Sequence, residues 1–187
     1  MVSGPSGSGK TTLLKKLLED KQLKRNLTKS ISFTTRPKRS AERNRKDYYF
    51  ITEARFKQEL KAKKILEWTR YLGYYYATPK VVVEKQLTKG KHVILCLDLK
   101  GALKIKRFYT QNTVLIFIIP PSLETLRERI EARCNKTKKE EIRERLKLAK
   151  RELLASYRYD YCLVNKNLRQ AVQALRQIIL KEVGIVS

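Results

Sequence analysis

The stretch Gly4-Pro5-Ser6-Gly7-Ser8-Gly9-Lys10-Thr11 constrains this chain more than any other. Glycines spaced by small residues let a loop curl until its backbone N–H groups converge, and a helix starting there adds its own unpaired N–H groups and positive dipole end. The pattern, with a helix expected over 11–18, is that of a phosphate-binding loop. In such a loop Lys10 reaches the β- and γ-phosphates of ATP, and the Thr11 hydroxyl ligates the accompanying Mg²⁺. Ser6, Gly7, Ser8, Gly9, Lys10, Thr11 and Thr12 are therefore the expected ATP-binding segment. Only residues 1–3 feed the loop, short for a central strand, where about 5 to 6 residues are usual.

The rest of the chain alternates strand and helix. Apolar, β-branched runs at 92–98, 113–119 and 161–165 predict buried strands. Apolar residues at three-to-four spacing predict helices over 101–108, 123–133, 140–156 and 168–183, with Ser122 as a helix entry after Pro120 and Pro121. This order predicts an α/β fold with a parallel sheet. Between 30 and 78 the texture changes to short alternating segments, 30–35, 48–51 and 65–68, with one helical stretch near 53–63. A small mixed lobe inserted into the core is expected there.

A length of 187 residues with 42% hydrophobic content suits one core with such an insertion. No run approaches the roughly 20 apolar residues of a bilayer span, and Met1-Val2-Ser3-Gly4 lacks the apolar stretch of a signal peptide, so a cytoplasmic protein without membrane association is expected. Cys96, Cys134 and Cys162 are odd in number and lack metal-ligand spacing, and His92 is the single histidine, which argues against disulfides and zinc. The chain carries 43 Lys plus Arg against 18 Asp plus Glu, a formal charge of +25. Residues 21–46 are basic throughout with a single acid, Glu42, so an anionic partner will be attracted, nucleic acid or another polyanion included; no nucleic-acid-reading module accompanies the charge.

Further motifs carry a resemblance. Ser30-Ile31-Ser32-Phe33-Thr34-Thr35-Arg36-Pro37-Lys38-Arg39, Glu42 and Asp47-Tyr48-Tyr49-Phe50 are followed by Ile65-Leu66-Glu67-Trp68, Gly73-Tyr74-Tyr75-Tyr76-Ala77-Thr78 and Leu97-Asp98-Leu99-Lys100-Gly101. Ile119-Pro120-Pro121-Ser122, Leu126 to Arg129 with Arg133, Glu144-Arg145-Leu146 and Val164-Asn165 complete the series. In order and spacing the sequence resembles the guanylate kinases over essentially its whole length. The resemblance implies a single domain over 1–187 of the P-loop NTPase type, a parallel sheet flanked by helices. Within it are implied a core (1–29, 79–121, 147–187), a GMP-binding lobe (30–78) and a helical lid (122–146).

It also implies an activity, transfer of a phosphoryl group from ATP to GMP, and to dGMP, with Mg²⁺. Arg36 and Arg39 would hold the GMP phosphate as guanidinium forks, with Tyr48 and Tyr76 donating O–H bonds to it. Glu67 would accept from guanine N1–H and the 2-amino group, a donor pair that adenine lacks, and Ser32, Thr78 and Asp98 would complete base recognition. Arg129 and Arg133 share a helix face and, with Arg145, would meet the transferring phosphates beside Lys10 and Arg36. Arg133 and Asn165 would also contact ATP, Asn165 near the adenine.

Two other readings compete. A kinase acting on a sugar phosphate such as ribose 1,5-bisphosphate has no use for Glu67 with Thr78. Guanylate-kinase-like scaffold modules generally lose a working phosphate loop, whereas Gly9-Lys10-Thr11 is intact here. The chain departs from the family pattern at Ala41, Arg45 and Ala77, where glycines are common, at Cys96, where an acid is usual, and at Lys166, where an aspartate is usual.

Overall fold

The computed structural model describes residues 1–132 and 139–184, Lys139 by its backbone alone. The chain divides into two compact units, Met1–Arg25 with Val114–Ser187, and Asn26–Thr113.

In the first unit, β1 (Val2–Ser3), β8 (Ile116–Ile119) and β9 (Tyr161–Val164) form a parallel sheet in the order β1-β8-β9. β1 has only two residues, yet both are buried, with Val2 opposite Ile116 and Ser3 opposite Phe117. Leu115, Ile116, Phe117 and Ile118 are buried in succession, as expected of a strand covered on both faces. α1 (Lys10–Leu17) turns Leu13, Leu14 and Leu17 inward and packs on α8 (Leu168–Glu182), which buries Ala171, Leu175, Ile179 and Leu180. α6 (Leu123–Ala132) and α7 (Lys139–Leu154) share a separate cluster of Leu126, Ile130 and Ala149 with Ile142 and Leu146 against it.

The second unit contains two sheets. β2 (Leu27–Lys29) pairs in parallel with β7 (His92–Ile94). The mixed sheet runs β4-β3-β6-β5, from β3 (Phe33–Thr34), β4 (Tyr49–Phe50), β5 (Ile65–Tyr71) and β6 (Tyr74–Pro79). β5 and β6 form a hairpin across Leu72 and Gly73, both at positive φ (48° and 84°), the backbone twist that two-residue hairpin loops favour. α3 (Glu53–Lys61), capped by Thr52, lays Phe56 against Tyr75 in a stack 4.5 Å between ring centroids. α4 (Lys80–Leu87) leads to β7, and α5 (Leu99–Phe108) packs on β5 with Asp98 as its cap.

The fold is therefore α/β, a parallel sheet flanked by helices together with a mixed sheet. The helices expected at 101–108, 140–156 and 168–183 fall within two residues of α5, α7 and α8. The strand expected at 92–98 is shorter. β7 stops at Ile94 because its partner β2 is three residues long, and it lies in a sheet apart from β8. The expected lobe, 30–78, lies inside the second unit, and the described parts of the expected lid, 122–132 and 139–146, lie inside the first; its residues 133–138 fall outside the described residues.

Asp20 ties two helices of the first unit. Its carboxylate accepts from the N–H groups of Gln22 and Leu23 at 2.8 and 3.1 Å, capping α2 (Lys21–Asn26), and from Arg176 Nε of α8 at 2.7 Å. The Arg176 bond, then that from Leu23, hold the carboxyl below its ordinary range. Asp20→Ala is expected to cost ~1–2 kcal/mol in urea unfolding, as a lost cap with a lost ion pair. Because the folded pKa lies below the unfolded one, the difference should be full above about pH 4 and fade as pH falls through the folded value. A cost independent of pH would contradict this account.

Candidate active site

The phosphate loop lies between β1 and α1. Gly7 and Gly9 adopt φ near 93° and 92°, with Gly9 as the cap residue of α1. Lys10 Nζ folds back over the start of the loop and donates to the carbonyls of Gly4 and Pro5. Ser8 N–H bonds Pro5 O at 3.1 Å and closes the turn. The Ser8 hydroxyl is fully buried and has no hydrogen-bond partner among the described residues. Thr11 and Thr12 are exposed on the first turn of the helix.

Two residues distant in sequence grip this loop within the first unit. Arg145 of α7, 9% exposed, donates from Nη1 to Ser6 Oγ at 3.2 Å. Its Nε and Nη2 both donate to Glu141 Oε1, at 3.0 and 2.7 Å. Asn165, just past β9, donates from Nδ2 to Ser8 O at 2.8 Å. Arg129 is half-buried on α6; Arg133 and Cys134 lie outside the described residues.

The second unit holds a basic and aromatic cluster organised by Glu42. Arg36 Nη2 donates to both oxygens of Glu42, at 2.7 and 3.0 Å, and the Arg39 N–H donates to Glu42 Oε2 at 2.9 Å. The Arg36 guanidinium lies 5.7 Å from the ring centres of both Tyr48 and Phe50. Tyr48 and Tyr76 meet edge to face at 6.0 Å. Burial pulls the Arg36 pKa down, but the bond to Glu42, with Tyr76 beside it, more than reverses this. Burial likewise pushes Glu42 up, and Arg36 and Arg39 bring it below its ordinary value. The Tyr48 hydroxyl is pushed up to about 12, by burial first and then by Tyr76 and Cys96, so it remains a hydrogen-bond donor. Ser32 is half-buried at the start of this sheet, and its carbonyl accepts from Tyr49 N–H at 2.9 Å.

Glu67 is the most deeply buried acid of the expected site, at 2% exposure. The hairpin register sets it opposite Thr78, whose hydroxyl donates to Glu67 Oε1 at 2.6 Å. Its other oxygen lies over Gly101, where a Cβ would stand 2.5 Å from Oε2, so a side chain at this point of α5 would push the carboxylate aside. Asp98 caps α5 by accepting from Gly101 N–H at 2.8 Å. Burial pushes Glu67 up to about 7; Thr78 lowers it, Asp98 raises it further and Lys104 lowers it.

Known proteins resemble this chain along nearly its whole length. The family described as "Guanylate kinase" matches residues 1–182. The chain belongs to the guanylate kinase family. It is 43% identical to the guanylate kinase of Thermotoga maritima over 182 residues, 97% of this chain and 86% of that one. It is 38% identical to that of Wolbachia pipientis over 97% of this chain and 89% of the other. The crystal structure of guanylate kinase from Anaplasma phagocytophilum superimposes with a TM-score of 0.79 at 32% identity, covering 97% of this chain and 83% of that one.

Sequence reasoning did not assign roles to three residues that order the candidate site. Glu42 organises Arg36 and Arg39, and its signal was its isolation in a basic run. Glu141 holds Arg145, and its signal was the four-residue spacing on one helix. Gly101 gives Glu67 its room, a contact that no local pattern announces. Two departures from the family pattern now have a structural setting. Ala77 is buried in β6 between Phe33 and Trp68, where a methyl group packs. Arg45 occupies φ 64°, in the left-handed region, while its N–H bonds Tyr48 O at 2.8 Å. Arg45→Gly is expected to raise stability by about 1 kcal/mol in urea unfolding, since glycine takes that φ without steric cost. A less stable variant would show that the arginine side chain makes a compensating contact.

Proposed function

We propose that this chain transfers the terminal phosphoryl group of ATP to GMP, and to dGMP, as a cytoplasmic enzyme, with residues 30–78 as the GMP-binding lobe and 122–146 as the lid. The observation that carries the reading is the buried Glu67 carboxylate, fixed on one oxygen by Thr78. A buried carboxylate is a costly feature unless something donates hydrogen bonds to its free lone pairs. Guanine supplies N1–H and the 2-amino group side by side; adenine does not. Ser32, Thr78 and Asp98 complete the polar lining, so a base without those donors leaves the site unpaired.

On the acceptor side Arg36 and Arg39 hold the GMP phosphate, with Tyr48 and Tyr76 donating to it. Glu42 fixes Arg36 in advance, so little side-chain entropy is lost when the phosphate arrives. On the donor side Ser6 to Thr12 hold ATP, and Lys10 reaches its outer phosphates. Mg²⁺ accompanying a triphosphate takes most of its ligands from phosphate and water. An exposed Thr11 hydroxyl at the helix start therefore suits it as the protein donor, and bound Mg²⁺ neutralises phosphate charge. In the transfer, an oxygen of the GMP phosphate bonds to the γ-phosphorus while the bond from that phosphorus to the ADP oxygen breaks. Lys10, Arg36, Arg129, Arg133 and Arg145 offset charge on the group in transit.

The test is ADP release with GMP, dGMP, AMP and UMP as acceptors in the presence of Mg²⁺. GMP and dGMP should be used and AMP and UMP rejected. Glu67→Ala should lower kcat/KM for GMP by about 100-fold, the loss typical of a buried polar site left unpaired, with the KM for ATP unchanged. Absence of GMP-dependent turnover would overturn the function, and an unaltered Glu67→Ala enzyme would overturn the account of base choice.

A pH dependence follows. Glu67 must be ionised to accept two N–H donors, and its pKa stands at about 7. The raised pKa means that its proton stabilises the free fold fully below its unfolded pKa, and that this contribution is lost as pH rises through about 7. Guanine binding runs the other way, and should strengthen by roughly tenfold between pH 6 and 8. The GMP phosphate titrates in the same range, so the comparison is with Glu67→Gln, which shares that titration but lacks the carboxyl. Parallel KM profiles for the two proteins would contradict the assignment.

A further inference from the structure

Asn165 is anchored at both ends. Its backbone N–H donates to Ile119 O at 2.8 Å and extends the β8–β9 pairing past Val164. Its side chain reaches the phosphate loop, where Nδ2 donates to Ser8 O at 2.8 Å in a buried bond, and the residue is 5% exposed. A carbonyl can only accept, so the nitrogen end of the amide must face the loop. The next residue, Gly9, sits at φ 92°, and a Cβ there would stand 2.3 Å from Asn165 Nδ2. Asn165 thus fills the space that the missing side chain leaves.

A trans peptide is planar, with its C=O and N–H antiparallel. Holding the Ser8 carbonyl against Asn165 turns the Gly9 N–H to the opposite side, away from β9. That N–H sits at the cap position of α1, where backbone donors and the helix dipole together attract anions. We infer that Asn165 is a positioning residue for the donor site: it locks the Ser8–Gly9 peptide so that Gly9 N–H is presented to the polyphosphate of any nucleoside triphosphate, whatever its base. This rests on the reading of the loop as the ATP site, and it departs from the adenine-side place that the family resemblance implies for Asn165. A clamp of this kind acts on the phosphates alone.

The probes are ATP, CTP and inorganic tripolyphosphate, each with Mg²⁺, titrated by calorimetry into the full chain and into Asn165→Ala and Asn165→Asp, with GMP as a control. All three should bind about tenfold more weakly to the alanine variant, the usual effect of one lost buried hydrogen bond. Binding to the aspartate variant should be weaker still, because a carboxylate then faces the Ser8 carbonyl. GMP affinity should stay within twofold of the parent. A loss for ATP alone, with CTP and tripolyphosphate unchanged, would return Asn165 to the adenine and overturn the inference. Variants equal to the parent for all three probes would overturn it as well.

If the parent chain binds none of the probes, the donor-site reading falls and the clamp with it; parent binding with unaltered variants removes the clamp alone. Should the variants fail to fold, the parent still decides by NMR. One Asn165 Nδ2 proton should exchange slowly in the free protein and stay slow with saturating tripolyphosphate, and exchange as fast as an exposed amide would overturn the clamp.

Discussion

Burying an acid is the constraint around which the second unit is built. Glu67 gives up its hydration, and the neighbours that make this tolerable come from separate elements: the Thr78 hydroxyl from β6, and the open backbone at Gly101 from α5. Both contacts require Glu67 to face α5, and the turn at Leu72 and Gly73 decides that. That turn fixes the hairpin register, and a slip of one residue would send Glu67 to the other face of the sheet. An irregularity in pairing between Ile65 and Glu67 falls beside the same residue, at a place where a bulge can re-aim a side chain. The unit stabilises Glu67 only in part, which is why the carboxyl holds its proton up to about 7.

The first unit meets a related demand by a different route. A phosphate loop concentrates backbone donors, and the conformation that does so is strained for residues other than glycine. Here it is held from outside as well as within: Arg145 bonds Ser6, Asn165 bonds Ser8, and Lys10 spans back to Gly4 and Pro5. In both units a charged group is fixed by an opposite charge close in sequence. Glu141 holds Arg145, and Glu42 holds Arg36. Side chains ordered before a ligand arrives lose less entropy when it binds.

How much of this could be seen in the sequence differed from residue to residue. The phosphate loop was legible because its chemistry resides in consecutive residues, and the helices because their apolar spacing is local. α2, β2, α4 and the hairpin turn went unassigned: the first three are short and each buries a single residue, Leu23, Leu27 and Val83, and Leu72 is an unusual choice for a left-handed position. The strand expected at 92–98 was too long because run length cannot reveal that a partner strand ends at Lys29. The identities of Arg36, Arg39, Tyr48, Glu67 and Thr78 came from motifs, but their partners did not. The bond from Thr78 to Glu67 and the space at Gly101 are products of register and of packing between elements. The large positive charge found no single place in the structure: lysines and arginines line the exposed faces of both units.

The central claim concerns the state of one carboxyl group, and the most direct measurement is the NMR titration of the Glu67 side-chain carboxyl carbon with and without GMP. The account predicts titration near pH 7 in the free protein and a group kept ionised well below that once guanine donates to it. A Glu67 that titrates in the ordinary carboxylate range, and whose midpoint GMP does not move, would contradict it.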